Sequence, residues 1–229
     1  MSHVVQTDHR VLRKSTPTVE ADSAASANDG SLTYFADTAA QFSPVERQRG
    51  LALGTYAHCT RKGIPIPNNL ASFMEQLLDT FPNDMDLLNT LGQLALQRGD
   101  LEMAKRYQQR ALVIEPDNET ALDGLMAVAY STSNWAECLD CATRLLDIDP
   151  SSTRVHAIRG DALANLGKIE EGIAEIERAT ELNPGATELY QWLADRYRQT
   201  GQADKLASAQ LMIERLKNAK IPPQAPPAS

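Results

Sequence analysis

Aromatic residues are scarce in this chain, at 5% of 229 residues. That scarcity argues against an aromatic-walled cofactor cavity and against a surface on which nucleic-acid bases would stack. Cations are outnumbered too: 22 Lys and Arg against 30 Asp and Glu leave a formal charge of −8. This is the wrong sign for neutralising phosphates, so no nucleic-acid partner is expected, and basic or polar partners are weakly favoured. No run of about 18 apolar residues occurs, so no segment is expected to span a membrane. The first residues, Met1 to Arg10, lack the apolar core of a signal peptide, which as written places the chain in the cytoplasm. Three cysteines do not suggest a disulfide framework. The histidines, His3, His9, His58 and His156, are not spaced as metal ligands, and neither a glycine-rich phosphate loop nor a nucleophile elbow is present. No catalytic site, cofactor or metal is therefore expected.

What the chain does have is a ladder of prolines, Pro82, Pro116, Pro150 and Pro184, each 34 residues after the one before. Three of them close similar phrases: Val113 to Pro116, Asp147 to Pro150 and Glu181 to Pro184. A fixed period of this length marks a helical repeat array. Units beginning at Met85, Glu119, Thr153 and Thr187 align in columns. The small residue of the first helix reads Gly92, Met126, Gly160, Ala194, and the turn between helices reads Gly99, Ser133, Gly167, Gly201. The small residue of the second helix reads Ala104, Cys138, Gly172, Leu206. Two apolar columns follow, Ala111, Leu145, Ala179, Ile213 and then Ile114, Ile148, Leu182, Leu216. Small residues let two helices approach closely while large ones fill the groove beside them.

Upstream, Ser43, Pro44 and Glu46 form a capping box that should start a helix running to about Lys62, with Gly63 as its stop. Asn68 or Asn69 should cap a second helix from Leu70 to about Phe81, with Leu70, Phe73, Met74, Leu77 and Leu78 on one face. This pair ends at Pro82 on the same ladder and reads as a degenerate first unit. The expected organisation is a flexible segment and linker over 1–42, an array over 43–220, and a proline-rich extended tail over 221–229. Within the array the units are 43–84, 85–118, 119–152, 153–186 and 187–220.

The length, the helix–turn–helix layout and the closing proline resemble the tetratricopeptide repeat, over about residues 44–219. The resemblance implies an all-α, right-handed α-solenoid that holds a protein or peptide partner rather than transforming substrates; a homo-oligomer is a further candidate assembly. Two departures stand out. His156 and Arg159 fall where the pattern prefers large apolar residues, so Arg159 must snorkel or find an acid, and unit 153–186 is expected to be the weakest. Leu206 replaces a small residue and no ladder proline follows it, so the last helix should run on to about Lys220 as a cap.

In this repeat family the inner surface comes from the first helix of each pair. The corresponding positions supply Asn89, Gln93 and Gln97, then Asp123, Ala127 and Tyr130. They continue with Arg154, Asp161 and Asn165, then Gln191, Trp192, Asp195 and Arg198. Family members that clamp a peptide's terminal carboxylate use Lys and Asn on successive first helices. This acid-leaning set lacks those lysines, which argues against that mode. Trp192 is the best single contact candidate, an aromatic anchor on the concave face; the alternative is packing beneath the linker or tail. Trp135, at the start of a second helix, is expected in the core.

Cys138 and Cys141 form a CxxC, but Ala142 follows where haem attachment needs histidine, and no second pair is near enough to complete a zinc site. Both, like Cys59, read as structural thiols. Finally, the stretch from His3 to Arg13 resembles a segment that follows the last haem motif in certain bacterial multihaem c-type cytochromes. There His9 and His3 would match histidines near or on a haem, although this chain contains no CxxCH. That resemblance implies a second function, the interaction domain of an exported electron-transfer protein of which this is the C-terminal piece. The compartment would then be periplasmic.

Overall fold

The computed structural model describes residues 42–219, and the predicted N-terminal segment and proline-rich tail lie outside them. The described residues form ten helices: α1 Pro44–Lys62, α2 Leu70–Thr80, α3 Met85–Gln97, α4 Leu101–Ile114, α5 Glu119–Ser131, α6 Trp135–Ile148, α7 Thr153–Asn165, α8 Ile169–Leu182, α9 Thr187–Thr200 and α10 Ala203–Ala219. Each helix packs on the next, and the pairs stack as a right-handed α-solenoid.

Local chemistry sets the boundaries. The Ser43 side chain accepts from the Glu46 amide and Glu46 returns the bond to Ser43, while Gly63 ends α1 at φ 64°. The turn column takes positive φ at every unit: 74° at Gly99, 56° at Ser133, 84° at Gly167 and 73° at Gly201. Ser133 accepts a left-handed conformation that glycine adopts more easily. The ladder prolines follow second helices, and the carbonyls of three of them are used. Arg110 Nη2 donates to the Pro82 carbonyl at 3.0 Å, Arg144 repeats that bond to Pro116, and His156 Nε2 lies 3.1 Å from the Pro150 carbonyl.

The column residues are mostly buried. Met126, Ala104, Cys138, Ala111 and Ala179 are fully enclosed. The final apolar column departs from expectation, because Ile114 and Ile148 are 40% and 43% exposed on the last turns of α4 and α6. Trp135 is likewise only half-buried, its ring meeting the Tyr130 ring edge-on at 5.5 Å.

The degenerate pair is joined to the array by Arg49 on α1, which donates from Nη2 to Asp84 at 2.9 Å and to Asp86 at 2.7 Å, and also contacts Asp84 through Nε. Asp84 is the N-cap of α3, accepting from Leu87 at 3.1 Å. Burial works against its charged form, but the Arg49 bonds and the Leu87 amide outweigh that and hold the carboxyl below its ordinary value of 3.8. A depressed carboxyl contributes stability that is present above 3.8 and lost as the pH falls through the folded value. Asp84→Ala is therefore expected to lower stability by about 2 kcal/mol near neutrality. It should also blunt the acid-induced loss below about pH 4. Denaturation midpoints measured across pH check both.

One buried polar group stands out. The Gln108 side chain of α4 is fully enclosed between α3 and α5, where a methyl added at Gly92 or at Gly124 would lie 2.3 Å from its Nε2. Neither amide atom has a hydrogen-bond partner among the described residues. Methionine matches its unbranched shape without polar atoms, so Gln108→Met is expected to raise stability by about 1 kcal/mol in a urea titration.

Candidate functional site

Helices α3, α5, α7 and α9 carry every residue singled out for the inner face, and the structure gathers Gln93, Asp123 and Arg154 at one hollow and Tyr130, Asp161 and Trp192 at another. The first, of about 320 Å³, lies between Gln93, Thr120, Asp123 and Arg154, with Glu119 and Asp149 at its edge. Arg154 pairs with Asp123 across it. The second, of about 290 Å³, is walled by Tyr130, Ile158, Leu189 and Trp192. Here one carboxylate gathers three helices. Asp161 of α7 accepts from the Tyr130 hydroxyl of α5 at 2.8 Å on Oδ2 and from the Trp192 indole Nε1 of α9 at 2.9 Å on Oδ1. Burial and the Asp161 contact push the Tyr130 phenol up to about 12, so it remains a donor at neutral pH.

Trp192 is thus not a freely exposed aromatic. It is half-buried, its indole nitrogen is engaged, and the Arg196 guanidinium stands 4.9 Å from its ring centre. Its ring still walls the second hollow. The remaining residues stay apart from both hollows. Gln97 reaches Tyr56 at 3.4 Å, Asn165 bonds the Asp161 carbonyl of its own helix, and Asp195 pairs with Arg198 one turn on. Asn89 is half-buried with an Oδ1 that has no partner among the described residues, and Gln191 is exposed. Sequence reasoning named only some members of the inner register and passed over Ala157, Ile158 and Glu188. These occupy the same repeat positions, so the register itself was the signal for them.

The thiols belong to the core. Cys59, Cys138 and Cys141 are free and buried, and burial pushes Cys138 and Cys141 up to about 11, which keeps them protonated at neutral pH. Among the described residues no group of three or more His, Cys, Asp and Glu is placed to hold a metal ion. The stretch from His3 to Arg13, with the candidate haem ligand His9, lies outside the described residues.

The architecture defined by these helices is that of a repeat array. Two stretches of the chain, residues 86–118 and 153–185, match the family model of the tetratricopeptide repeat. The TPR repeat-containing thioredoxin TTL4 of Arabidopsis thaliana is 31% identical over 77 residues, 34% of this chain and 11% of that protein. The chain thus spans only about a tenth of that relative's length. Among solved structures, MamA 41-end from Desulfovibrio magneticus RS-1 superposes with a TM-score of 0.70 at 18% identity, covering 76% of this chain and 98% of that one. MamA AMB-1 superposes at 0.68 and 19% identity, covering 77% and 93%. At these identities the likeness is one of fold.

Proposed function

We propose that the array is a non-enzymatic interaction scaffold that holds a peptide or a helix of a partner protein on the face formed by α3, α5, α7 and α9. The observation that carries this reading is the second hollow. Side chains from three successive first helices meet there around Asp161 and leave an open, largely carbon-lined cavity between them. Clustered aromatic and aliphatic side chains around such a cavity are the usual anchor of a peptide hot spot. A photo-reactive amino acid placed at the exposed Gln191 position should cross-link a discrete partner, while the same group at Arg106, on the second helix of an earlier pair, should not. Cross-links from Arg106 alone would refute the assignment to this face.

A second reading is carried by the sequence of residues 3–13, which resembles the post-haem segment of multihaem cytochromes. It makes the array the interaction domain of an electron-transfer protein, with His9 toward a haem. In-frame CxxCH motifs in the DNA upstream of Met1 support it, and a stop codon there removes it.

A further inference from the structure

We infer that the face with the two hollows selects a basic segment carrying a large apolar side chain, the apolar group entering the hollow between Tyr130, Ile158 and Trp192. This rests on the groove reading above and adds the chemistry of the occupant.

The apolar part follows from where the polar atoms point. The only polar tips of Tyr130 and Trp192, the hydroxyl and the indole nitrogen, both donate to Asp161. What the two residues offer the cavity is ring surface, joined by Ile158 and Leu189. A partner that covers this hollow with carbon therefore strands neither donor, and the burial is not opposed by a lost hydrogen bond. A partner placing a polar group there would find both donors already occupied.

The charge follows from what surrounds the cavity. The two hollows together are lined by five carboxylates (Glu119, Asp123, Asp149, Asp161 and Glu188) and by one guanidinium, Arg154, which Asp123 already engages. Glu188, on the first turn of α9, has no hydrogen-bond or ion-pair partner among the described residues. Arg196, the cation standing over Trp192, donates to Gln199. Asp123, Asp149 and Asp161 already take donors from Arg154, Ser151, Tyr130 and Trp192. The carboxylates that a neutral or acidic partner would strip of water without return are therefore Glu119 and Glu188, and Lys or Arg flanking the apolar anchor compensates them. The net charge of −8 steers encounter in the same direction.

The test is a selection of random peptides displayed on phage against the full chain, followed by titration of the recovered peptides. Recovered peptides are expected to combine Lys or Arg with Leu, Ile, Phe or Met. Their affinity should fall about tenfold or more for Ile158→Arg, which fills the hollow, and for Glu188→Lys, which reverses the rim. Glu188 is exposed, so that variant keeps the readout even if Ile158→Arg misfolds. Recovered peptides that are acidic or neutral, yet lose binding to Ile158→Arg, overturn the charge inference and leave the groove reading standing. Peptides indifferent to both variants, or no enrichment at all, overturn both.

Discussion

Gly172→Leu should lower the unfolding free energy by about 3 kcal/mol or more, and even Gly172→Ala should lower it by about 2. Alanine is the better helix former by about 1 kcal/mol, so on propensity alone the substitution would stabilise α8. Packing decides otherwise. A methyl at residue 172 would stand 2.6 Å from the Gly160 carbonyl oxygen and 3.1 Å from the Ala164 backbone nitrogen. Its neighbour is the backbone of α7, which cannot swing aside as a side chain can, so the two helices must separate. The relation is reciprocal, since a methyl at Gly160 would meet the Gly172 carbonyl at 2.9 Å. Urea unfolding midpoints give the answer directly, and a Gly172→Ala protein as stable as its parent would contradict this account of the α7–α8 contact.

Glu175→Ala has the second large effect. Glu175 on α8 takes His156 Nδ1 at 2.8 Å on one oxygen and donation from Arg159 Nη1 at 2.9 Å on the other. The carboxylate side chain is 19% exposed and that of His156 11%, so both sit largely away from water. Removing the acid leaves a guanidinium and an imidazole in a site built for apolar groups, at a cost of about 2–3 kcal/mol once solvent screening of the part-exposed Arg159 is allowed for. Replacing Glu175, His156 and Arg159 together with leucines should return most of that stability, because no polar group is then stranded. Thermal unfolding of the single and triple variants separates a specific polar cluster from mere intolerance of change on α8.

How far the sequence reached can be seen at these same residues. The start of α1 was legible because it is written in local chemistry, Ser43, Pro44 and Glu46, whereas Asn69, read as a cap for α2, precedes that helix without a side-chain bond to it. The turn column was legible because positive φ restricts the residue type. Arg159 was legible as a misfit in an apolar column that had to find an acid, but which acid was not, since Glu175 comes from another helix at a spacing no local rule sets. Gln108 was missed for a related reason. Its position gives no hint that two glycines, one from the helix before it and one from the helix after it, would close around its amide. Among the candidate site residues the register placed Asp161 and Trp192 on one face, while their bond, and the half-burial of Trp192 that goes with it, depended on the pitch of the stack.

In a stacked array each pair ordinarily feels only its immediate neighbours, so a disturbance fades along the stack. The carboxylate of Asp161 ties two such neighbour contacts into one group, because its two oxygens belong to different neighbours, one to a hydroxyl from α5 and the other to an indole from α9. Any rotation of Asp161 that favours one donor releases the other. The last three helix pairs thereby share a single mechanical joint, and an occupant that shifts the Trp192 ring would be registered two pairs away at Tyr130.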